Sequence, residues 1–278
     1  MTGGLVLAAL LAGGPVHAKV GIRWEAGFDQ ALQKARTLHK PLLVDFWADW
    51  CGWCHRLDQT TYVDAEVVRL SASFVAVKVD TEGGAKDVAI AARYDVSSLP
   101  TIAFLSPSGR QLLRLSGYQG AGRFPHSMAT ALELSARVMV WEEALEKDGS
   151  NPEALASLGT HLFEQEFYEE SRDLLTRAIK TDRARPVDER KRSRLLLAII
   201  QNYDRKYPAA ENLLKDALAL RPPAEYDSKL LYVLGRTYLA SGRRGEARST
   251  MLSLLDKHPD SAMADKARET LATLEKNR

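Results

Sequence analysis

Two cysteines stand three positions apart, and the chain contains no other cysteine. They are Cys51 and Cys54, and Gly52 and Trp53 separate them. Two thiols at this spacing can close a small disulfide ring. A disulfide across so few residues removes little entropy from the unfolded chain, so it is a poor structural cross-link. The spacing therefore predicts a redox site that exchanges electrons with other thiols and disulfides.

An apolar run ends just before the cysteines and predicts the elements that position them. Residues 42–48 have the composition of a buried strand, and Cys51 is expected to open a helix that runs through Leu57. A cysteine at a helix N-terminus faces unpaired backbone N–H groups and the positive end of the helix dipole, which favour the thiolate. We therefore expect Cys51 to be the exposed nucleophile and Cys54 to be the more buried, resolving thiol.

Strand and helix signals alternate around this site from residue 19 to about residue 134. A turn with Pro107 and Gly109 between two apolar runs predicts a hairpin. The predicted strands are 20–24, 42–48, 74–80, 101–105 and 111–115, and the predicted helices are 28–38, 51–57, 85–94 and a helix from residue 124 onward. This alternation predicts an α/β domain.

From about residue 151 the strand signals stop and one helix follows another. Small residues recur at Gly159, Ala198 and Gly235, spaced 39 and 37 residues apart. Such spacing is typical of helical hairpins stacked side by side, and small residues let paired helices approach closely. These segments resemble tetratricopeptide repeats, whose period is about 34 residues, with longer loops. The predicted repeats are about 152–185, 191–224 and 228–261, followed by a closing helix over 261–276; an ordinary helical bundle is the alternative.

The N-terminal residues differ from the rest of the chain. An apolar run over residues 1–12 precedes Val16-His-Ala18, which fits a small-residue cleavage site. This pattern predicts a signal peptide over 1–18, although no Lys or Arg precedes the apolar run. An apolar first strand or helix and an uncleaved membrane anchor are the alternatives. The predicted domains are thus the signal peptide 1–18, an α/β domain 19–147 and a helical-repeat domain 148–278. Export, most simply to a bacterial periplasm, places the cysteines in an oxidising compartment.

The overall charge gives no sign of a nucleic-acid partner. Lys and Arg number 38 against 36 Asp and Glu, so the net charge of the 278-residue chain is only +2. A protein that binds nucleic acid through its backbone phosphates carries a clear excess of cations. The expected partners are instead proteins: those with thiols or disulfides, an electron donor or acceptor that is either soluble or membrane-bound, and a protein held by the helical repeats.

Two motifs in the first domain resemble the signatures of the thioredoxin superfamily. One is the stretch 43–54, LVDFWADWCGWC, and the other is 97–101, SSLPT. The resemblance covers about residues 20–135. Within the superfamily it is greatest to the periplasmic C-terminal domain of the transmembrane thiol:disulfide interchange reductase, through KPLLVDFWADWC at 40–51 and VAIAARYDV at 88–96. It implies a thioredoxin fold, a central mixed sheet flanked by helices.

The resemblance also implies roles for residues outside the cysteine pair. Asp45 matches a buried acid beneath the cysteines, whose raised pKa would let it accept a proton from Cys54. Pro100 matches a cis-proline facing the cysteines, and the backbone of Leu99 would pair with an extended substrate segment. Lys78 falls where thioredoxins often carry a lysine near the acid. The remaining substrate-binding candidates are Trp50, Gly52 and Trp53, which flank the cysteines.

The pair between the cysteines departs from thioredoxin itself, which has Gly-Pro where this chain has Gly52-Trp53. This pair tunes the reduction potential, so the sequence leaves open whether the protein reduces, oxidises or isomerises disulfides. Asp45, Asp49 and the reductase-like flank favour a reductant.

Other chemistry at the cysteines is less well supported. Cys51 to His55 also satisfies the Cys-x-x-Cys-His pattern of c-type haem attachment. The buried strand before the motif, Asp45 and Pro100 favour a thioredoxin site instead. A structural zinc site needs four ligands, and only two cysteines are present. We therefore expect no cofactor or metal beyond the redox-active disulfide.

These observations predict an exported thiol:disulfide oxidoreductase that reduces or exchanges disulfides in envelope proteins, with helical repeats that recruit a partner. The alternative is a scaffold or adaptor of an envelope complex, in which the repeats do the main work and the thioredoxin-like domain mainly binds.

Overall fold

The structure, a computed structural model, describes residues 21–223 and 226–276. The predicted signal peptide over 1–18 lies outside these residues. The chain divides into two compact units, one ending at Glu133 and the other starting at Leu134.

The first unit is built on a five-stranded mixed sheet of order β1-β3-β2-β4-β5. Its strands are β1 (Trp24–Glu25), β2 (Leu42–Trp47), β3 (Val75–Asp80), β4 (Thr101–Leu105) and β5 (Gln111–Ser116). β1 and β2 pair with β3 in parallel, whereas β4 pairs antiparallel with both β2 and β5. Since the central strand β2 has a neighbour on each side, the residues that follow it emerge from the middle of the sheet.

The helices of this unit are α1 (Phe28–Leu38), α2 (Gly52–Arg56), α3 (Ala65–Ser71), α4 (Ala85–Arg93) and α5 (Phe124–Lys147). α2 continues as a π-helical turn, Leu57–Thr61, in which the N–H of Tyr62 reaches back five residues to the carbonyl of Leu57. The predicted helix through Leu57 is thus confirmed, and it extends to Thr61 with a π-helical last turn. α3 was missed because its apolar pattern is weak, with Val67 its buried residue.

The predicted first strand, 20–24, was also displaced. β1 begins only at Trp24, and the N–H of Ile22 donates instead to the carbonyl of Tyr62 at 3.1 Å. A backbone donor that bonds to a loop carbonyl cannot extend the ladder to β3. The other strands and helices of this unit lie within one or two residues of their predicted bounds.

A buried aromatic cluster fixes α5 against the sheet. Phe124, in the first turn of α5, contacts Phe104 of β4 and Tyr62, with ring centroids 6.0 Å apart in both pairs. Phe74 packs on the other side of Phe104 at 5.5 Å. This packing anchors β4, whose N-terminal end follows the Pro100 loop, and the segment that follows the cysteine helix.

The second unit contains helices in sequence-adjacent pairs. They are α6 (Pro152–Glu164), α7 (Tyr168–Thr181), α8 (Val187–Tyr203), α9 (Tyr207–Ala219), α10 (Asp227–Ala240), α11 (Arg244–Lys257) and α12 (Ala264–Lys276), with a short 3₁₀ turn over Asp182–Ala184. α6 packs on α7, α8 on α9 and α10 on α11, and α12 closes the series against α11. The three predicted helical hairpins and the closing helix are thus confirmed.

The small residues behind the repeat prediction lie where the paired helices meet. A Cβ atom on Gly159 would lie 3.0 Å from Cγ of Leu175, and one on Gly235 would lie 2.6 Å from Cε of Met251. Ala198 is fully buried. A larger side chain at Gly159 would press on Leu174 and Leu175 of α7, and one at Gly235 would displace the end of the Met251 side chain.

The two compact units divide inside α5, whereas the predicted domain boundary, 147/148, coincides with the end of this helix. That boundary stays a prediction. Within residues 21–223 and 226–276, no helix combines the length and the hydropathy needed to cross a bilayer.

Candidate redox site

Cys51 and Cys54 form a disulfide at the start of α2, with their Cα atoms 5.3 Å apart. Cys51 is the N-cap, and its sulfur accepts a hydrogen bond from the N–H of Cys54 at 3.1 Å. The helix N-terminus thus donates to the sulfur predicted to be the nucleophile. The expected exposure of Cys51 was wrong for this disulfide form, because Cys51 is 4% exposed and Cys54 1% exposed. Sulfur bonded to its neighbour leaves little of either side chain at the surface.

The Leu99–Pro100 peptide bond is cis, as the resemblance implied. Pro100 is buried and Leu99 is partly exposed. The Pro100 carbonyl accepts a hydrogen bond from the N–H of Gly117 at 2.8 Å, which ties this loop to the segment after β5. The backbone of Leu99 therefore lies on a loop held in place, which is the requirement for pairing with an extended substrate.

Two exposed tryptophans flank the disulfide. Trp50 is 68% exposed and donates its indole N–H to Glu82 at 2.8 Å, whereas Trp53 is 59% exposed and contacts the ring of Tyr118. A Cβ atom added to Gly52 would meet nothing within 4 Å. These residues form an open surface on which another protein chain can lie, and the exposure of the two indoles makes a purely packing role untenable.

Asp45 is fully buried in the middle of β2. Its register partner on β3 is Lys78, and Nζ of Lys78 lies 3.1 Å from a carboxyl oxygen of Asp45. Burial raises the pKa of Asp45, the Lys78 ammonium offsets part of that rise, and the charge of Asp58 adds to it. A carboxyl with a raised pKa keeps its proton to a higher pH than an exposed aspartate does.

Two polar neighbours of Asp45 were not anticipated from the sequence. Asp58, in the π-helical turn, lies 2.5 Å from Nζ of Lys78 and is partly exposed, so one lysine bridges a buried and a surface carboxylate. Tyr62 is fully buried, and burial followed by the Asp45 charge raises its pKa well above the usual value. Lys78 also lies within 5.6 Å of the ring centroids of Trp24, Trp47 and Tyr62. Cys54 and Asp58 are four residues apart, which places them on one face of a helix. This spacing could have predicted that Asp58 lies near the redox site.

Tyr118 is the third residue that sequence reasoning missed. It follows β5, and its ring centroid lies 5.5 Å from that of Trp53. Nothing in the local sequence relates two aromatic residues 65 positions apart. Among the described residues there is no cluster of three or more His, Cys, Asp or Glu side chains that fits a metal ion.

Comparison with known proteins assigns both parts of the chain. Residues 28–132 match the family of thioredoxin-like domains, and residues 203–271 match the tetratricopeptide repeat family. The chain therefore contains a thioredoxin-like domain and tetratricopeptide repeats. The mixed sheet with flanking helices is the fold of the first family, and the stacked helical hairpins are that of the second.

Several relatives named as thiol:disulfide interchange proteins match about a third of the chain. The thiol:disulfide interchange protein DsbD of Ralstonia nicotianae is 33% identical over 106 residues, which are 37% of this chain and 17% of that protein. The DsbD of Cronobacter sakazakii is 35% identical over 99 residues, 34% of this chain and 17% of that protein. The chain thus spans about a sixth of the length of these relatives. Among solved structures, the oxidoreductase DsbH is 24% identical, with 46% of this chain and 96% of that chain covered at a TM-score of 0.37.

Proposed function

We propose that this protein is an exported thiol:disulfide oxidoreductase that reduces or exchanges disulfides in envelope proteins through Cys51 and Cys54. The observation that carries the proposal is the disulfide at the first turn of α2, in a thioredoxin-like domain with a cis-proline loop. The similarity of this domain to proteins named for thiol:disulfide interchange supports it.

The proposed reaction starts from the reduced protein. The Cys51 thiolate attacks one sulfur of a substrate disulfide, which forms a mixed disulfide and releases the first substrate thiol. Cys54 then attacks the sulfur of Cys51, which releases the second substrate thiol and leaves the Cys51–Cys54 disulfide. The substrate gains two electrons and the protein loses two.

Asp45 is proposed to take the proton that Cys54 loses as it attacks. Its burial and raised pKa support this role, because a raised pKa makes a carboxylate a better proton acceptor than an exposed aspartate. Lys78 and the partly exposed Asp58 extend from Asp45 towards the surface, at 3.1 and 2.5 Å. The Lys78 ammonium stabilises the Asp45 carboxylate once the proton has left, whereas the charge of Asp58 opposes its ionisation.

Continued turnover needs a dithiol protein that returns two electrons to the disulfide, and this donor is one proposed partner. The tetratricopeptide repeats are proposed to hold a second partner protein, since stacked helical hairpins present an extended binding surface. No further cofactor is proposed. Absence of visible absorbance from the purified protein would agree with that, and a haem spectrum would overturn it.

Export is proposed from the signal-peptide pattern at 1–18. Expression of the full chain in a bacterium, followed by fractionation and N-terminal sequencing, tests it. The expected product is periplasmic and begins at Lys19. A cytoplasmic product that retains Met1 would contradict the proposal.

The activity is tested with the reduced full chain and a disulfide-bonded protein such as insulin. Cys51→Ser is expected to abolish disulfide reduction, whereas Cys54→Ser is expected to accumulate the mixed disulfide on Cys51. Unchanged reduction by Cys51→Ser would refute the proposal. A pull-down that depends on the repeats, in a protein without redox activity, would favour the adaptor alternative.

A further inference from the structure

The segment after β5 is held beside the redox site by three hydrogen bonds. The Gly117 N–H donates to the carbonyl of Pro100 at 2.8 Å, and the Thr61 hydroxyl donates to the carbonyl of Gln119 at 2.7 Å. Between these two anchors, the hydroxyl of Tyr118 is 3.0 Å from that of Thr60. The loop thus bridges the cis-proline segment and the helical segment that carries the cysteines, so the position of Tyr118 is fixed.

Tyr118 and Trp53 form one continuous aromatic surface. Their ring centroids are 5.5 Å apart with planes inclined by 41°, and Trp53 remains 59% exposed. Trp53 lies between the two cysteines in the sequence, next to the open space around Gly52. A substrate chain that brings a cysteine to Cys51 can therefore place a neighbouring side chain on this surface.

The chemistry of this surface favours an apolar occupant. The hydroxyl of Tyr118 is engaged by Thr60, so the ring is what remains for contact with a substrate. A rigid aromatic surface gains free energy from apolar area removed from water and from aromatic pairing. A charged or amide side chain placed over the two rings would lose hydration, and the rings themselves offer it no hydrogen-bond partner.

We infer that Tyr118 is a specificity-determining residue, and that the surface it shares with Trp53 binds an apolar or aromatic side chain adjacent to the substrate cysteine. This inference rests on the proposed function and names the class of substrate for the same site. The inferred site thus includes Tyr118, which lies 65 positions after Trp53 in the sequence.

Two peptides test the inference. Both contain one cysteine as a mixed disulfide with glutathione, and they differ only in whether Phe or Gln flanks the cysteine on both sides. In each reaction the reduced Cys51–Cys54 pair supplies two electrons and two protons, and the products are the peptide thiol, glutathione and the protein disulfide. The ratio of kcat/KM for the Phe peptide to that for the Gln peptide is measured for the full chain, with dithiothreitol to regenerate the dithiol.

Tyr118→Ala is expected to lower this ratio by about two- to tenfold, the fold-change that corresponds to one aromatic contact. Tyr118→Phe keeps the ring and is expected to keep the ratio. Trp53→Ala removes the other half of the surface and is expected to lower the ratio as well. The reduction potential of Tyr118→Ala should equal that of the wild type, because the inference concerns binding and not the dithiol.

A wild-type ratio near one would overturn the inference, and so would a ratio that Tyr118→Ala leaves unchanged. If Tyr118→Ala lowers kcat/KM equally for both peptides and also changes the reduction potential, Tyr118 stabilises the redox site and does not select the substrate, which would also overturn the inference. These outcomes differ from failure of the proposed function, in which the wild type would reduce neither peptide and Cys51→Ser would make no difference.

Discussion

Lys78→Met is the change that most directly tests the electrostatics around Asp45. The substitution removes the cation that lies 3.1 Å from Asp45 and 2.5 Å from Asp58, and it keeps a long apolar side chain among the surrounding rings. The fully buried Asp45 then has no countercharge at that distance on its register partner. The expected result is a carboxyl that ionises less readily and a fold that is less stable at high pH.

The structure sets the size of the effect. Two unit charges 3.1 Å apart attract by about 5 kcal/mol at an effective dielectric constant of about 20. Lys78 is 21% exposed, and its ammonium also pairs with Asp58. Both facts reduce the coupling free energy between Lys78 and Asp45. A double-mutant cycle with Asp45→Asn should therefore give a coupling free energy of about 1–3 kcal/mol. The cycle cancels the effect of the methionine on the rings and on Asp58.

The pH dependence has a definite sign. Burial raises the pKa of Asp45 above its ordinary value of 3.8 despite the Lys78 ammonium. Between that ordinary value and the raised pKa, the folded protein holds a proton that the unfolded chain has released, so stability falls as pH rises. Above the raised pKa, the contribution of Asp45 to the free energy of unfolding no longer changes with pH. Lys78→Met raises the pKa of Asp45 further and extends the fall to higher pH.

The assay is urea unfolding of the oxidised protein, in which no thiol titrates, followed by tryptophan fluorescence. The four proteins of the cycle are compared below about pH 4 and near pH 9. We expect almost no coupling at the low pH, where Asp45 is protonated, and the full coupling at the high pH. Coupling that is the same at both pH values, or negligible at pH 9, would refute the reasoning.

Three further predictions follow from buried contacts. Asp45→Asn should slow the resolving step by about 10²-fold, and stopped-flow fluorescence should then show a long-lived mixed disulfide; an unchanged rate would exclude Asp45 as the base. Lys191→Met leaves Asp227 buried without its ion-pair partner. It should lower the free energy of unfolding of the repeats by about 3–5 kcal/mol, measured by urea unfolding followed by circular dichroism. Adding Asp227→Leu should recover most of this loss of stability. Gly159→Val should cost about 1–3 kcal/mol in the same assay, and Gly245→Val, where a Cβ would meet nothing within 4 Å, should not; equal effects would contradict the close approach of the helices.

Local sequence pattern was enough to predict the elements around the cysteines and the helical repeats. Cys51, Cys54 and the apolar strand before them are neighbours along the chain, so their spacing was enough to place a dithiol at a strand-to-helix turn. The helical repeats were equally visible, because small residues such as Gly159 and Gly235 mark each close approach of paired helices. In both cases the contacts that matter join residues close in sequence or regularly spaced.

Family resemblance, and not local physics, supplied the acid and the proline. Nothing in the residues around Pro100 requires a cis bond, which is uncommon even before proline, yet the bond is cis. An aspartate in an apolar run predicts burial of Asp45, but not which groups surround its carboxyl. The resemblance named these positions without giving their electrostatics.

The residues that surround the site come together through contacts between segments that are distant in the sequence. The parallel register of β2 and β3 places Lys78 opposite Asp45, and the π-helical turn brings Asp58 to the same ammonium. The loop after β5 carries Tyr118 to Trp53, although 65 positions separate them. These contacts arise from strand pairing and loop anchoring between distant segments, for which a single sequence carries no periodic signal. The local sequence therefore predicts a redox site, and the fold sets the electrostatics of that site and the side chains that surround it.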